Sequence, residues 1–307
     1  MVQSSHQFLG TLNFNQMSNK QNIFLALTLL IALFFSACED AIDLDLGAPT
    51  EQLVIDAVIN QTADTQFIYV SKSMAYLNNG NYQSYQLDSI GILDTASKAY
   101  FPFQYKGNGV YYYVPPAANT FQIGHTYQLL AADNGQVYFS QSELHQPVNI
   151  DSFTYKYQEQ GPFGGTKGYY VTLWAKDNVG VGDHYWFRVY RNDSLQSKPT
   201  DFVIAEDNSI NPDGRGDGDL FIVPIRENLS PSPYRIGDKV RVDVHSITPE
   251  LYYYLNLINT QLNNTGLFAV PPSNIPGNIF CLTNPKTKIL GFFSMTGKVS
   301  TPNLLIR

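Results

Sequence analysis

The sequence predicts an all-β protein with two β-sandwich-type domains, the second of which carries one amphipathic helix. The chain has 21 Tyr and 19 Phe but only 4 Met, and aromatic residues suit a pleated, half-buried surface. Short runs rich in aromatic and β-branched residues alternate with turns rich in Asn and Gly, without helical crossovers between them. Short strands joined in this way favour antiparallel sandwiches.

The N-terminal segment has the features of a bacterial lipoprotein leader. Residues 23–35 are thirteen apolar or near-apolar positions, a length that suits a secretory signal and is too short to span a bilayer. Residues 35–38 (FSAC) place two small residues before Cys38 and resemble a lipobox. The sequence therefore predicts a signal peptide at residues 1–37 and lipidation of Cys38. The alternative is an ordinary signal peptide cut nearby, with Cys38 there by coincidence.

The composition of the mature chain limits its function. Removing residues 1–37, which hold one Lys and no acid, leaves 270 residues with a net charge of −8. An acidic chain without a basic stripe argues against nucleic-acid binding. Cys281 is the other cysteine after Cys38, so lipidation of Cys38 would leave no intramolecular disulfide. No later run reaches eighteen apolar residues, so the body is expected to attach to the membrane through its lipid.

A tether and a first domain are expected next. Residues 38–50 carry four acids and end near Pro49, which is typical of a spacer between lipid and body. Residues 51–148 are predicted to form an immunoglobulin-like or transthyretin-like sandwich, in which residues 133–135 (DNG) mark a hairpin. The strands predicted here are residues 53–59, 67–70, 100–105, 110–114, 126–132 and 136–140.

Residues 149–307 are predicted to form the second, β-rich domain. Its predicted strands are residues 151–158, 169–175, 184–190, 202–205, 221–225, 239–246 and 289–295. In residues 239–246, valines alternate with Arg241, Asp243 and His245, which indicates one buried and one wet face. Thr248 suits an N-cap and Pro249 the first turn of a helix at residues 249–263. Apolar residues on one face of that helix are Leu251, Tyr254, Leu255, Ile258 and Leu262.

Several motifs span nearly the whole mature chain: the lipobox and residues 53–56, 147–152, 234–240, 246–248, 271–275 and 290–293. Their shared order resembles a Bacteroidetes lipoprotein family of unknown function, domain of unknown function 4249. The resemblance implies an outer-membrane lipoprotein, often associated with TonB-dependent transporters, and it implies no established activity. Acidic residues directly after the cysteine, here Glu39 and Asp40, resemble an export signal to the cell surface in this phylum. The periplasmic face is the alternative.

The densest group of candidate metal ligands lies at residues 207–219. Calcium prefers carboxylate and carbonyl oxygens on a flexible loop, and the weak candidates are Asp207, Asp213, Asp217 and Asp219. EF-hand spacing is not matched, so a solvated loop is the default interpretation. The histidines lack zinc spacing, and no phosphate, dinucleotide or G-x-S-x-G motif is present, so no cofactor and no catalytic residue are predicted.

Three functions are therefore carried forward. The first is a non-catalytic accessory or ligand-binding lipoprotein that serves a TonB-dependent transporter and takes a glycan or peptide ligand. The second is a lipid-anchored hydrolase of glycans or peptides, which would need two carboxylates facing each other across a cleft. The third is a structural or adhesion module of the envelope. A shallow aromatic face favours binding over hydrolysis.

We predict that translation begins at Met17. A secretory signal normally opens with a short basic segment, and Lys20 directly precedes the apolar run, whereas residues 1–16 carry no Lys or Arg. N-terminal sequencing of the unprocessed precursor should therefore find residue 17 first. Recovery of residues 1–16 would refute this start.

Overall fold

Several strands alternate buried and more exposed residues along the chain, whereas others are buried over most of their length. The computed structural model describes residues 51–74, 82–180, 182–206, 218–221, 225, 227, 229, 232–264, 270 and 274–307. The first nine strands are β1 (Leu53–Asn60), β2 (Gln66–Lys72), β3 (Gln83–Ser84), β4 (Ser89–Asp94), β5 (Tyr100–Pro102), β6 (Gln104–Gly107), β7 (Val110–Tyr113), β8 (Thr126–Asp133) and β9 (Gln136–Glu143). The next nine are β10 (Asn149–Gln158), β11 (Gly168–Lys176), β12 (His184–Arg191), β13 (Ser194–Leu195), β14 (Val203–Glu206), β15 (Lys239–Ile247), β16 (Phe280–Cys281), β17 (Ile289–Ser300) and β18 (Leu304–Leu305).

Within the described residues these strands form three sheets. The largest has eleven strands, in the order β13-β12-β15-β17-β1-β2-β7-β6, with β14, β18 and β3 paired beside this path. A five-stranded sheet runs β16-β9-β8-β4-β5, and β10 and β11 form a two-stranded sheet. The all-β class predicted from the sequence is confirmed, and the described residues form one compact unit.

Strand β17 joins the early and late strands of the largest sheet. It pairs in parallel with β1, from Leu53 opposite Ile289 to Asn60 opposite Thr296. Its later residues pair antiparallel with β15, where Val244 lies opposite Val299. The predicted boundary near residue 148 stays a prediction, but this sheet contains strands from both sides of it.

Two hydrophobic cores lie against the same side of β17. Phe293 and Met295 are fully buried in the first core, together with Ile55 and Ile59 of β1. Val299 packs on the second core, which contains Phe187 of β12. Successive side chains of a strand point to opposite faces, so the even-numbered residues of β17 lie on the other side of the sheet.

The predicted helix is confirmed as α1 (Pro249–Leu262). The Thr248 side chain accepts a hydrogen bond from the Leu251 amide at 3.3 Å, which satisfies one free donor of the first turn. Leu251 and Leu255 are buried with Phe292, so α1 covers part of the sheet face opposite the two cores.

The other local predictions have different outcomes, and the predicted hairpin is confirmed. Asn134 and Gly135 have φ of 47° and 76°, which suits the tight turn between β8 and β9. The predicted strand at residues 100–105 is two strands, β5 and β6, which belong to different sheets. The predicted strand at 221–225 lies largely outside the described residues. Strand β4 is not predicted from the sequence, because Ile90, Gly91 and Ile92 are all buried and show no alternation.

Gly291 is required where β17 passes β1. Its φ is +89°, a conformation that L side chains rarely adopt. A Cβ atom at this position would lie 2.0 Å from the Ile55 carbonyl oxygen, which belongs to a buried, hydrogen-bonded strand. The parallel pairing of β1 with β17 therefore depends on the missing side chain.

We predict that Gly291→Ala destabilises the protein by roughly 3 kcal/mol or more, because it combines backbone strain with a backbone clash. Gly237→Ala is the matched control: Gly237 has φ +94°, and a Cβ atom added there would have no atom within 4 Å. The control should cost only about 1–2 kcal/mol. Urea unfolding measures both losses, and equal losses would contradict the proposed close approach.

Candidate functional site

A cleft of 490 Å³ lies between α1 and the sheet face opposite the two cores. Small-molecule sites commonly have volumes of about 300–1,000 Å³ and are mostly apolar, with a few polar groups. The lining residues are Val54, Asp56, Val58, Asn60, Thr65, Gln66, Phe67, Tyr69, Trp186, Arg188, Phe202, Leu251, Tyr254, Leu255, Ile258, Gly291 and Phe292. Aromatic residues form much of this surface, and one acid and one base accompany them.

Every second residue of β1 faces the cleft, because successive side chains of a strand point to opposite faces of the sheet. Leu53, Ile55, Ala57 and Ile59 are buried in the first core, so the residues between them face the other side. Asp56 lies on that side, next to Tyr69 of β2 and Phe292 of β17 in the sheet register. The carboxylate of Asp56 is thus flanked by two aromatic residues.

Strand β12 supplies the basic side chain of the cleft and an aromatic ring beside it. Tyr185 and Phe187 are buried in the second core, and Trp186 and Arg188 alternate with them on the cleft side. The guanidinium carbon of Arg188 lies 5.0 Å from the centre of the Trp186 ring, a distance suited to cation–π attraction. The ring holds the guanidinium in place without occupying its hydrogen-bond donors.

The opposite wall is apolar. Leu251, Tyr254 and Leu255 come from one face of α1. The ring of Tyr254 lies 4.7 Å from that of Phe292, and the ring of Phe202 lies 6.3 Å from that of Trp186. The cleft therefore has an apolar side at the helix and a charged side at β1 and β12.

The two charged groups of the cleft are open to a ligand. Asp56 is solvent-exposed, yet the surrounding protein raises the pKa of its carboxyl, and attraction to Arg188 offsets this increase only in part. The Nε atom of Arg188 is buried and has no hydrogen-bond partner. The two residues do not form a direct ion pair among the described contacts. The Arg188 side chain is half-buried and has no ion pair or hydrogen bond among the described contacts, so a ligand carboxylate in the cleft would meet a guanidinium that the protein does not neutralise.

A strip of charged side chains continues from the cleft across the same sheet face. Arg241 forms an ion pair with Asp243. The Nζ atom of Lys298 lies 3.6 Å from Asp243 Oδ2 and 3.0 Å from Asp64 Oδ2. The Gln61 side chain fixes Lys298 through two backbone hydrogen bonds of 2.8 Å each. These contacts hold the strip in one arrangement.

His245 is buried in the middle of this face. Its Nδ1 lies 3.0 Å from Thr296 Oγ1, and its Nε2 has no partner. Burial lowers the pKa of His245 to about 3, and the positive charges of Arg188 and Lys298 act in the same direction. The imidazole is therefore neutral near pH 7. The predicted wet face of residues 239–246 is wrong for Asp243 and His245, because packing against β12 and β17 buries both.

A second, wider groove of 900 Å³ lies beside β10 and β11 and includes Lys167, Arg191 and Arg235. Its Arg191 is already satisfied by an ion pair with Asp238. Burial alone would raise the pKa of Asp238, but hydrogen bonds from Arg191, the Arg235 amide and Asn192 lower it to about 2. Arg191 in this groove thus has an ion pair with the protein, whereas Arg188 in the cleft has none among the described contacts.

The residues singled out from the sequence lie elsewhere. Cys38, Asp207, Asp213 and Asp217 are outside the described residues. Asp219 is exposed, and its carbonyl accepts a hydrogen bond of 2.9 Å from the Asp177 amide. No group of three or more His, Cys, Asp or Glu suited to a metal occurs among the residues described. The calcium hypothesis is untested for the loop as a whole.

Sequence reasoning missed the cleft residues. The sequence indicates only a strand and a family motif at the segment containing Asp56, and it predicts no site role for Trp186 or Arg188. One pattern pointed to the latter pair: Trp186, Arg188 and Tyr190 alternate with the apolar residues of β12. Alternation shows that they share a face, but it does not show what lies opposite.

The fold and cleft together define an all-β protein with an aromatic-walled cleft. The chain matches the family described as domain of unknown function DUF4249 over residues 39–301. It belongs to that family. No curated protein matches the chain at a significant level. Within the described part, no helix combines the length and apolar character needed to cross a membrane.

We predict that His245 makes stability depend on pH. Its pKa is 6.5 in the unfolded chain and about 3 in the folded protein, so the unfolded state binds the additional proton between these values. The free energy of unfolding should therefore fall as the pH is lowered through this window, by about 2 kcal/mol between pH 7 and about pH 5 from this group. In urea unfolding at both pH values, His245→Gln should lose this component, whereas His145→Gln should keep it. Equal slopes in all three proteins would contradict the assignment.

Proposed function

We propose that this protein is an outer-membrane lipoprotein that binds a small ligand as a non-catalytic accessory of a TonB-dependent transport system. The observation that carries the binding role is the cleft between α1 and the sheet, which combines an aromatic wall with the charges of Asp56 and Arg188. Clefts of this size with a few convergent polar groups are typical ligand sites.

The lining chemistry supports binding over hydrolysis. Glycoside hydrolysis needs two carboxylates about 5–10 Å apart across the substrate. Among the described lining residues, the acidic side chain is Asp56, and its charged companion is Arg188. The aromatic groups Tyr69, Trp186 and Tyr254 instead offer contact area for a bound molecule.

The sequence supports the location of this function. The lipobox at residues 35–38 motivates an anchor at Cys38, and the acids that follow it motivate the outer face of the outer membrane. A binding protein held at that surface would deliver its ligand to a neighbouring transporter. An adhesion module remains the alternative, and a ligand titration at the cleft separates the two.

We predict that Cys38→Ala releases the protein from the membrane fraction and abolishes labelling by a radioactive fatty acid, because the anchor thiol is lost. Cys281→Ala is the matched control, since it removes the other cysteine and should keep both properties. The tagged wild-type protein, solubilised from outer membranes in detergent, should co-purify with a TonB-dependent transporter.

Two outcomes would count against this proposal. Recovery of the tagged protein without any transporter would remove the accessory role. Resistance to protease added to intact cells, together with digestion in lysates, would place the body on the periplasmic side and refute surface exposure.

A further inference from the structure

We propose that the cleft binds a short peptide with free termini and an apolar side chain, with its carboxylate on Arg188 and its ammonium group on Asp56. This inference rests on the proposed binding function and deepens it by naming the ligand class. It follows from three features of the cleft: a cation without an ion pair among the described contacts, a separate anion, and an aliphatic surface on α1 formed by Leu251, Leu255 and Ile258.

The unpaired cation comes first. The Nε atom of Arg188 is buried without an acceptor, and its guanidinium lies against the Trp186 ring. A guanidinium presents parallel donors that match the two oxygens of a carboxylate, and such charge-assisted bonds are stronger than neutral ones. A ligand carboxylate in the cleft would therefore pair with the guanidinium of Arg188, which has no ion pair among the described contacts.

The anion defines the other end of the ligand. Asp56 lines the same cleft, its residue is exposed, and it makes no direct ion pair with Arg188 among the described contacts. The surrounding protein disfavours the charge on Asp56, and an ammonium group of a ligand would favour it. One molecule carrying both charges would thus complement both residues.

The aliphatic part of the lining disfavours a ligand body that is polar on all sides, and the polar side chains of Asn60, Thr65 and Gln66 lie elsewhere in the lining. Leu251, Leu255 and Ile258 line the helix side, and Val54 and Val58 continue the apolar surface on β1. A sugar carries hydroxyl groups around its whole rim, and those facing this wall would lose their hydrogen bonds to water without replacement. An apolar peptide side chain would instead lose unfavourable contact with water there.

The mature lipoprotein in detergent allows a direct test. The chain has 2 Trp, so Trp174→Phe leaves Trp186 in the cleft as the fluorescent reporter. Leucyl-leucine should quench this fluorescence saturably. Its C-terminal amide and its N-acetyl derivative should each bind roughly tenfold or more weakly, because each lacks one of the two charges. Methyl α-glucoside should give no saturable change.

Two variants connect each charge to its residue. In Arg188→Gln, leucyl-leucine and its C-terminal amide should bind with equal, weak affinity, because the partner of the carboxylate is gone. In Asp56→Asn, leucyl-leucine and its N-acetyl derivative should bind with equal, weak affinity, because the partner of the ammonium group is gone. These equalities report direct contact, which a purely structural role would not produce. Arg235→Gln and Asp151→Asn, which change exposed charges outside the cleft, should keep the full discrimination.

Each contrary result has a definite meaning. If Arg188→Gln weakens the binding of leucyl-leucine and of its amide by the same factor, the protein still prefers the free carboxylate, and the contact with Arg188 is refuted. If methyl α-glucoside binds and the peptides do not, the peptide class is refuted while the cleft remains a ligand site. If the native protein discriminates neither peptide derivative, the inference fails even where the variants do not fold. The transporter pull-down tests the accessory role separately.

Discussion

The parallel pairing of β1 with β17 is the contact on which the rest of the structure depends. These strands come from opposite ends of the described chain, and the pairing holds Phe293 and Met295 in the first core. The same strand continues along β15 and places Val299 on the second core. Gly291 permits the close approach, since any side chain there would meet the backbone of Ile55. One strand thus joins two hydrophobic cores.

This arrangement gives the large sheet two very different faces. On one side both cores are apolar, and their burial supplies most of the stabilisation. On the other side Phe292 meets α1, and then Thr296 and Lys298 continue into polar surroundings. The cleft forms where the apolar cover of α1 ends and the charged strip begins. Its amphipathic character is therefore a consequence of the sheet geometry.

Local patterns in the sequence were sufficient for many elements of the fold. A short run of β-branched and apolar residues predicted β1, an N-cap at Thr248 and an apolar stripe predicted α1, and residues 133–135 predicted a hairpin. Each of these signals lies within a few consecutive residues, so it can be recognised in the sequence without knowledge of the fold. Strand β4 lacks such a signal because it is buried along most of its length. The burial of His245 was missed because it depends on β12 and β17.

The sequence by itself determined the β-rich class, the position of the helix and which side chains share a strand face, because these follow from periodicity over a few residues. It also supplied the lipobox, the basis for the predicted anchor. Only the tertiary structure decided that Asp56 and Arg188 line one cleft. It also decided that Trp186 lies beside Phe202 in that cleft. Strand order and register bring these distant positions together, and neither can be deduced from local alternation alone.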